Sequence, residues 1–470
     1  MRPGRAPADV PRPAIAAQPP AAPGPLALTA VCLGYFMVIL DTTIVTVALP
    51  ALRADLGASV AGLQWVVDGY LLTFAALQLS GGLLADRAGA RAVFQAGLGL
   101  FALSSLGCAL APGIALLVAA RLIQGVSAAL SVPASLALLR VAYPGPAARA
   151  RAIGVWGGVA GIGAAAGPVL GGILVTGLSW RAVFVVNVPV GIAAMILTAR
   201  HVPAAARQPR PADPGAQAVA ILALAALTYA LITGGQAGLT PAVLAVAALF
   251  VLAAAAFVLV ERGRAAAMLP LSLFTSKTFS GANAIGLLIN LGFYGELFVL
   301  NLYLQEVRHY PAVLAGLALL PQMGVTMLGS SLSGRITARA GSPRPAMLAG
   351  LCLGAAGLLS LMAAGASTPY WVLVAPMLAA GFGMSLTMPA ATTAVVEAAP
   401  ASRAGLASGV ISTSRQAGGV IGIAVLGALA AGSAGLLPGL RAGMAIAGGA
   451  FGLAAVLAAV TVSQHPARSG

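Results

Sequence analysis

The chain has 470 residues, of which 60% are hydrophobic and only 7% charged, with a mean hydropathy of +0.99. Soluble domains carry about 25% charged residues, so a soluble globular protein is excluded and a multi-helix membrane protein is indicated. The net charge of +15 does not mark a nucleic-acid surface, because the arginines are scattered over short loops without interleaved aromatics.

Residues 1–25, rich in Pro, Ala and Arg, read as a disordered tail and not as a cleaved signal peptide. Apolar runs long enough to span a bilayer follow near 26–50, 63–85, 92–112, 114–139, 152–176, 181–199, 216–234 and 240–260. Six more lie near 280–304, 311–333, 345–365, 369–392, 404–431 and 440–462, making fourteen in all. With the N-terminus placed in the cytoplasm, only Arg53, Arg181, Arg308 and Arg441 fall in outer loops, and Arg121 and Arg415 fall inside spans. The remaining basic residues are all inside, so both termini are expected to be cytoplasmic in a cell (plasma) membrane.

An internal repeat is visible. Gly82, Gly89, Arg151, Gly157 and Gly167 find identical residues 252 positions on, at Gly334, Gly341, Arg403, Gly409 and Gly419. Pro133 finds Pro389 at a slightly different offset. Spans one to six thus align with spans nine to fourteen, and spans seven and eight are an insert. The expected domains are a six-helix bundle over 26–200, two linker helices over 201–265, a second six-helix bundle over 266–462 and a tail over 463–470. Two such halves around a midplane cavity are a common build of secondary transporters.

Charges at membrane depth are costly and mark functional positions. Asp41 lies in LDTTIVTVALP, Leu40 to Pro50, roughly 13 Å from the outer end of span one. Asp68 in WVVDGY, Arg121 in RLIQGVSAA and Glu296 in span nine lie at similar depth, roughly 9–12 Å in. Arg121 needs a counter-charge or carbonyls. Tyr294 beside Glu296 suits cation binding through a ring face, or an interfacial belt equally well. Asn283, Asn290 and Asn301 add polar groups that suit a cavity-lining face.

These stretches carry a family likeness. LDTTIVTVALP, GLLADRAGAR (Gly82 to Arg91), RLIQGVSAA and GAAAGPVLGG (Gly163 to Gly172) resemble motifs of the major facilitator superfamily, and within it of the fourteen-helix drug:proton antiporters. The resemblance covers about residues 26–462. It implies an all-α integral membrane protein with the major facilitator fold, two six-helix bundles plus two inserted helices. It implies proton coupling at Asp41 with Arg121. The residues themselves suggest a substrate cavity including Asp68, Glu296, Tyr294, Gln124 and Asn290, with Asp68 either lining it or lying at the lipid interface. The resemblance also implies a cytoplasmic gating loop of Gly82, Asp86, Arg87, Gly89 and Arg91 whose charges pair across the two halves. Ala90 stands where the family often has a basic residue, and Ala338 stands in the second half where Asp86 stands in the first. Gly163, Gly167, Pro168, Gly171 and Gly172 match the antiporter motif, a small-residue face bent by proline.

Other chemistry is not expected. No glycine-rich loop precedes a lysine in the phosphate-binding pattern, so a gradient and not ATP is the expected energy source. His201, His309 and His465 form no metal cluster, and Cys32, Cys108 and Cys352 have no metal-ligand spacing. The expected function is therefore not enzymatic and uses no cofactor. It is proton-coupled multidrug efflux of lipophilic or cationic compounds by alternating access, by a monomer. The competing readings are an exporter or importer of one metabolite or natural product on the same fold and, further off, a non-transporting membrane sensor.

Overall fold

The structure is a computed structural model that describes residues 25–143, 145–203, 214–262, 271–400, 403–432 and 435–463. The expected N-terminal tail, most of the loop over 200–215 and nearly all of the C-terminal tail lie outside the described residues. The first half comprises α1 (Pro25–Leu56), α2 (Val60–Ala88), α3 (Ala90–Ala109), α4 (Ile114–Ala142), α5 (Pro146–Gly177), α6 (Ala182–Val185) and α7 (Asn187–His201). The insert is α8 (Pro214–Ala237) and α9 (Pro241–Arg262). The second half comprises α10 (Lys277–Leu302), α11 (Ala312–Ala318), α12 (Leu320–Ala340), α13 (Arg344–Ser360), α14 (Tyr370–Glu397), α15 (Ala404–Ala431) and α16 (Leu436–Thr461).

Among the described residues, fourteen helical segments are long and apolar enough to cross a membrane, with α6–α7 and α11–α12 each forming one broken span. The second break, at Leu319, precedes Pro321, whose ring removes a backbone donor. By alternation, the starts of α1 and α10 and the end of α16 share one end of the bundle, here the terminal end; the opposite end is the distal end. Thr278 Oγ1 donates to Thr461 O at 2.9 Å there, tying the start of α10 to the end of α16.

Parts of the sequence repeat have a structural counterpart. Gly89 (φ 97°) and Gly341 (φ 63°) both end a helix with positive φ, where a Cβ is strained. Arg91 Nη2 donates to Ala199 O at 2.6 Å, and Arg344 Nη2 to Ala459 O at 2.5 Å. Each arginine opens the third span of its half and caps the last carbonyls of the sixth, where a cation also meets the negative end of the helix dipole. Pro133 and Pro389 lie inside α4 and α14. Gly89→Ala is expected to cost about 1–3 kcal/mol and more than Gly341→Ala, as read from thermal unfolding of the purified protein in detergent.

The residues of the expected gating loop lie where α2 turns into α3. Gly82, Asp86 and Arg87 belong to the last turns of α2, and Arg91 to the first turn of α3. Gly89 alone makes the turn, because one residue with φ 97° redirects the chain without a longer linker. Arg91 is committed to α7 of its own half, so it does not pair across the halves here.

The insert does more than bridge two domains. Tyr229 of α8 meets Trp65 of α2, with ring centroids 6.5 Å apart. Gln217 of α8 donates to Ala76 O of α2, and a Cβ at Gly235 would press on Ala428 of α15. Helix α8 thus lies over the seam between α2 and α15, and α9 packs on α8.

Candidate functional site

Helices α1, α3, α4 and α7 of the first half converge on one buried carboxylate. Asp41 Oδ2 accepts from Arg121 Nη1 at 2.5 Å, and Oδ1 accepts from Gln124 Nε2 at 2.9 Å and from Asn187 Nδ2 at 2.8 Å. Arg121 is held in turn by Val66 O (2.8 Å) and Gln124 Oε1 (2.7 Å), with its guanidinium 4.4 Å from the centroid of the Tyr70 ring. Gln124 Nε2 also donates to Ser105 Oγ at 2.8 Å. Asp41, Arg121, Gln124, Asn187, Ser105 and Tyr70 are all fully buried. The periodicity that places Arg121 and Gln124 on one face of α4 is three residues, so both reach the same carboxylate.

This answers the need of Arg121 for a counter-charge. Asp41 does not open onto the space between the halves in this conformation. It is closed inside one bundle, fully buried, with an arginine on one oxygen and two amides on the other. Gln124 is a partner of that pair in this conformation.

The other expected cavity residues divide. Asp68 is fully buried with neither carboxyl oxygen bonded. Glu296 is fully buried, accepting from Gln322 Nε2 at 2.7 Å on one oxygen, with the other unbonded. Asn290 is fully buried, and its amide nitrogen donates to Gly286 O of its own helix at 2.8 Å. These three are therefore sealed, and only Tyr294 of the expected set is partly exposed.

Tyr294 has companions that the sequence reading left unassigned. Tyr35 of α1 and Trp156 of α5 stack at 3.8 Å with an interplanar angle of 8°, and both are partly exposed. Arg415 of α15 lies in Coulombic reach of Tyr35 and Tyr294, with its Cγ against Gly286 of α10. The signal that could have found Tyr35 and Trp156 was weak: isolated aromatics in apolar spans are usually packing residues. Asn187, Ser105 and Gln322 are polar residues in apolar runs, a stronger signal that went unused.

The halves meet at the distal end. Arg53 Nη1 and Glu306 Oε2 are 2.9 Å apart, and Gln305 Nε2 donates to Val47 O at 3.0 Å. The antiporter motif forms this seam. A Cβ at Gly163 would meet Phe36 of α1 at 3.3 Å, and one at Gly171 would meet Ile44 O at 2.8 Å. One step round the helix, a Cβ at Gly172 would lie 2.6 Å from Ala312 O in the opposite half. Pro168 O sits against Gly316, and Gly167 sits against Thr43. Toward the terminal end the same helices part: a Cβ at Gly154, Gly157, Gly158 or Gly334 would meet nothing within 4 Å. Along α2 and α15 contact continues deeper, with Gln78 Nε2 donating to Ser412 Oγ at 2.9 Å.

The comparisons with known proteins agree with this build. The family model described as Major Facilitator Superfamily matches residues 31–423. The chain is 39% identical over 407 residues to the methylenomycin A resistance protein of Streptomyces coelicolor, covering 86% of this chain and 85% of that one. It is 40% identical over 406 residues to the multidrug resistance protein Stp of Mycobacterium tuberculosis, covering 86% and 75%. It is 37% identical over 403 residues to the tetracenomycin C resistance and export protein of Streptomyces glaucescens, covering 85% and 74%. A peptide transporter solved in complex with sulfate superposes with a TM-score of 0.70 at 16% identity, covering 93% of this chain and 94% of that one, a likeness of fold. The chain belongs to the Major Facilitator Superfamily.

Proposed function

We propose that this membrane transporter is a proton-coupled exporter of drug-like molecules that works by alternating access. The observation that carries the reading is the buried Asp41–Arg121 pair. Its relatives, named for resistance and export, support the direction of transport.

The coupling follows from the energetics of that pair. A proton arriving at Asp41 removes the counter-charge of Arg121 in a fully buried site. An unpaired buried charge is expensive, so protonation and a rearrangement of α1 against α4 favour each other. Asp41 is then the proton carrier and Arg121 sets its affinity. Substrate and proton would compete, because each favours a different arrangement of the bundles. With the terminal end as the cytoplasmic side, which the arginine asymmetry supports, the arrangement described here is closed to the outside. A monomer suffices for this cycle.

The test is transport in proteoliposomes under an imposed pH gradient, following cationic ethidium and anionic pyrenebutyrate in parallel, so that the outcome does not hinge on substrate charge. Gradient-driven accumulation of at least one probe is expected, with Asp41→Asn losing the gradient dependence at least tenfold. Probe movement indifferent to the gradient, or unaltered in Asp41→Asn, defeats the coupling. A second reading, export of one natural product, draws on relatives named for single antibiotics, methylenomycin A and tetracenomycin C. A flat profile across unrelated drugs with transport of one would favour it.

The expected lipophilic cation lacks a reachable acid in this arrangement, since Asp68 and Glu296 are sealed. The substrate's charge is better argued from the group that is not sealed.

A further inference from the structure

Arg415 sits about 17 Å along α15 from its terminal-end start at Ala404, near the middle of a span of 28 residues. Its surroundings come from both halves: Gly286 and Tyr294 on α10, and Tyr35 on α1, which is stacked on Trp156 of α5. Among the described residues, no hydrogen bond or ion pair reaches its guanidinium, and its Nε is fully buried with no partner. The residue as a whole is partly exposed, so the rest of the head opens onto the space between the halves.

That is an unusual state for a mid-membrane arginine. Arg121 in this same chain has a carboxylate, a carbonyl, an amide and a ring face around it. The described acids are committed elsewhere or out of its field. Asp41 belongs to Arg121, Asp55 to Arg181 and Glu306 to Arg53. Glu296 is held by Gln322, and the phenols of Tyr35 and Tyr294 are the groups in Coulombic reach of Arg415. A guanidinium with free donors matches a carboxylate through two parallel hydrogen bonds. The parallel Tyr35–Trp156 rings offer flat apolar surface near it, and Tyr294 shares the neighbourhood of Arg415.

We infer that Arg415, Tyr35, Trp156 and Tyr294 form a substrate subsite for ring-containing molecules that carry a carboxylate, the ring lying on the aromatic surface and the carboxylate on Arg415. This deepens the exporter reading and rests on it. The substrate completes a charge pair that the protein leaves open, so the site selects against the lipophilic cations that the acids of α2 and α10 would have suggested.

The test is isothermal titration of the purified full chain in nanodiscs at pH 7 with three probes that share a ring: 2-naphthoate, naphthalene-2-carboxamide and 2-naphthyltrimethylammonium. The naphthoate is expected to bind at least tenfold tighter than the amide, and the ammonium weakest. Arg415→Gln should bring naphthoate and amide within threefold of each other. Arg415→Lys should restore part of the preference, keeping the charge without the fork. Trp156→Ala should weaken naphthoate and amide by the same factor, since it removes the ring surface alone. Equal binding of the three probes, preference for the ammonium, binding of none, or a naphthoate preference that survives in Arg415→Gln would each overturn the inference. Gradient-driven transport of ethidium and pyrenebutyrate is measured in parallel on the same purified protein reconstituted in proteoliposomes. Coupled transport without anion preference sinks this inference alone, whereas loss of coupling with the preference intact sinks the proton scheme alone.

Discussion

Arg121→Gln should abolish export and lower the unfolding free energy by about 3–5 kcal/mol. The substitution leaves the Asp41 carboxylate fully buried with two amide donors and no cation. A buried pair is worth little against an apolar replacement, but half of one is a large penalty. The double variant Asp41→Asn with Arg121→Gln should therefore regain most of the lost stability, since neither charge remains. It should not regain coupled transport, because the proton site is gone. Thermal unfolding in detergent and gradient-driven uptake in proteoliposomes read the two effects separately. Stability losses that simply add in the double variant would mean that the two side chains do not act as a pair.

Gly172→Val should push the conformational equilibrium away from the distal-closed arrangement by about 1–3 kcal/mol, a population shift of roughly 5–150-fold. The obstacle is backbone and cannot swing aside: a Cβ there lies 2.6 Å from Ala312 O and 2.7 Å from Val313 Cα. The clash crosses between halves, so relief comes from separating them at that end and not from unfolding a bundle. Spin labels at Thr176 and Leu314, both exposed on either side of the seam, would report a longer distance in the variant. Transport should fall with it. Gly157→Val on the same helix is the control, because its Cβ meets nothing within 4 Å. Unchanged label distances with wild-type transport would show that α5 and α11 are not a gate.

Both expectations draw on one motif and one pair that were legible as residues before their geometry was known. GAAAGPVLGG advertises a small-residue face, but a four-residue period cannot say what the face meets. In the structure Gly163, Gly167 and Gly171 serve α1 of the same half, while Gly172, one position round, serves α11 of the other. Arg121 demanded a partner, and Asp41 was at matching depth. That they touch was not legible, since helix rise places residues along an axis and says nothing of rotation about it.

Rotation also decides what depth and neighbouring residues could not. Asp68 and Glu296 were expected to line a cavity from their depth and surroundings in the sequence. Both are fully buried here, while Arg415, placed by the sequence only as a charge inside a span, is partly exposed. Tyr35 and Trp156 stand over a hundred positions apart, and no local pattern joins them.

The amino-acid sequence by itself determined that this chain lives in a bilayer, how many times it can cross, that it is built twice over, and to which superfamily it belongs. These follow from apolar run length, repeated glycines and local motifs, all of which are properties of neighbours in the chain. The tertiary structure alone decided which charges are neutralised, which end the halves close, and which side chains face the space between them. Those depend on how each helix is turned about its own axis, a quantity set by packing among distant segments.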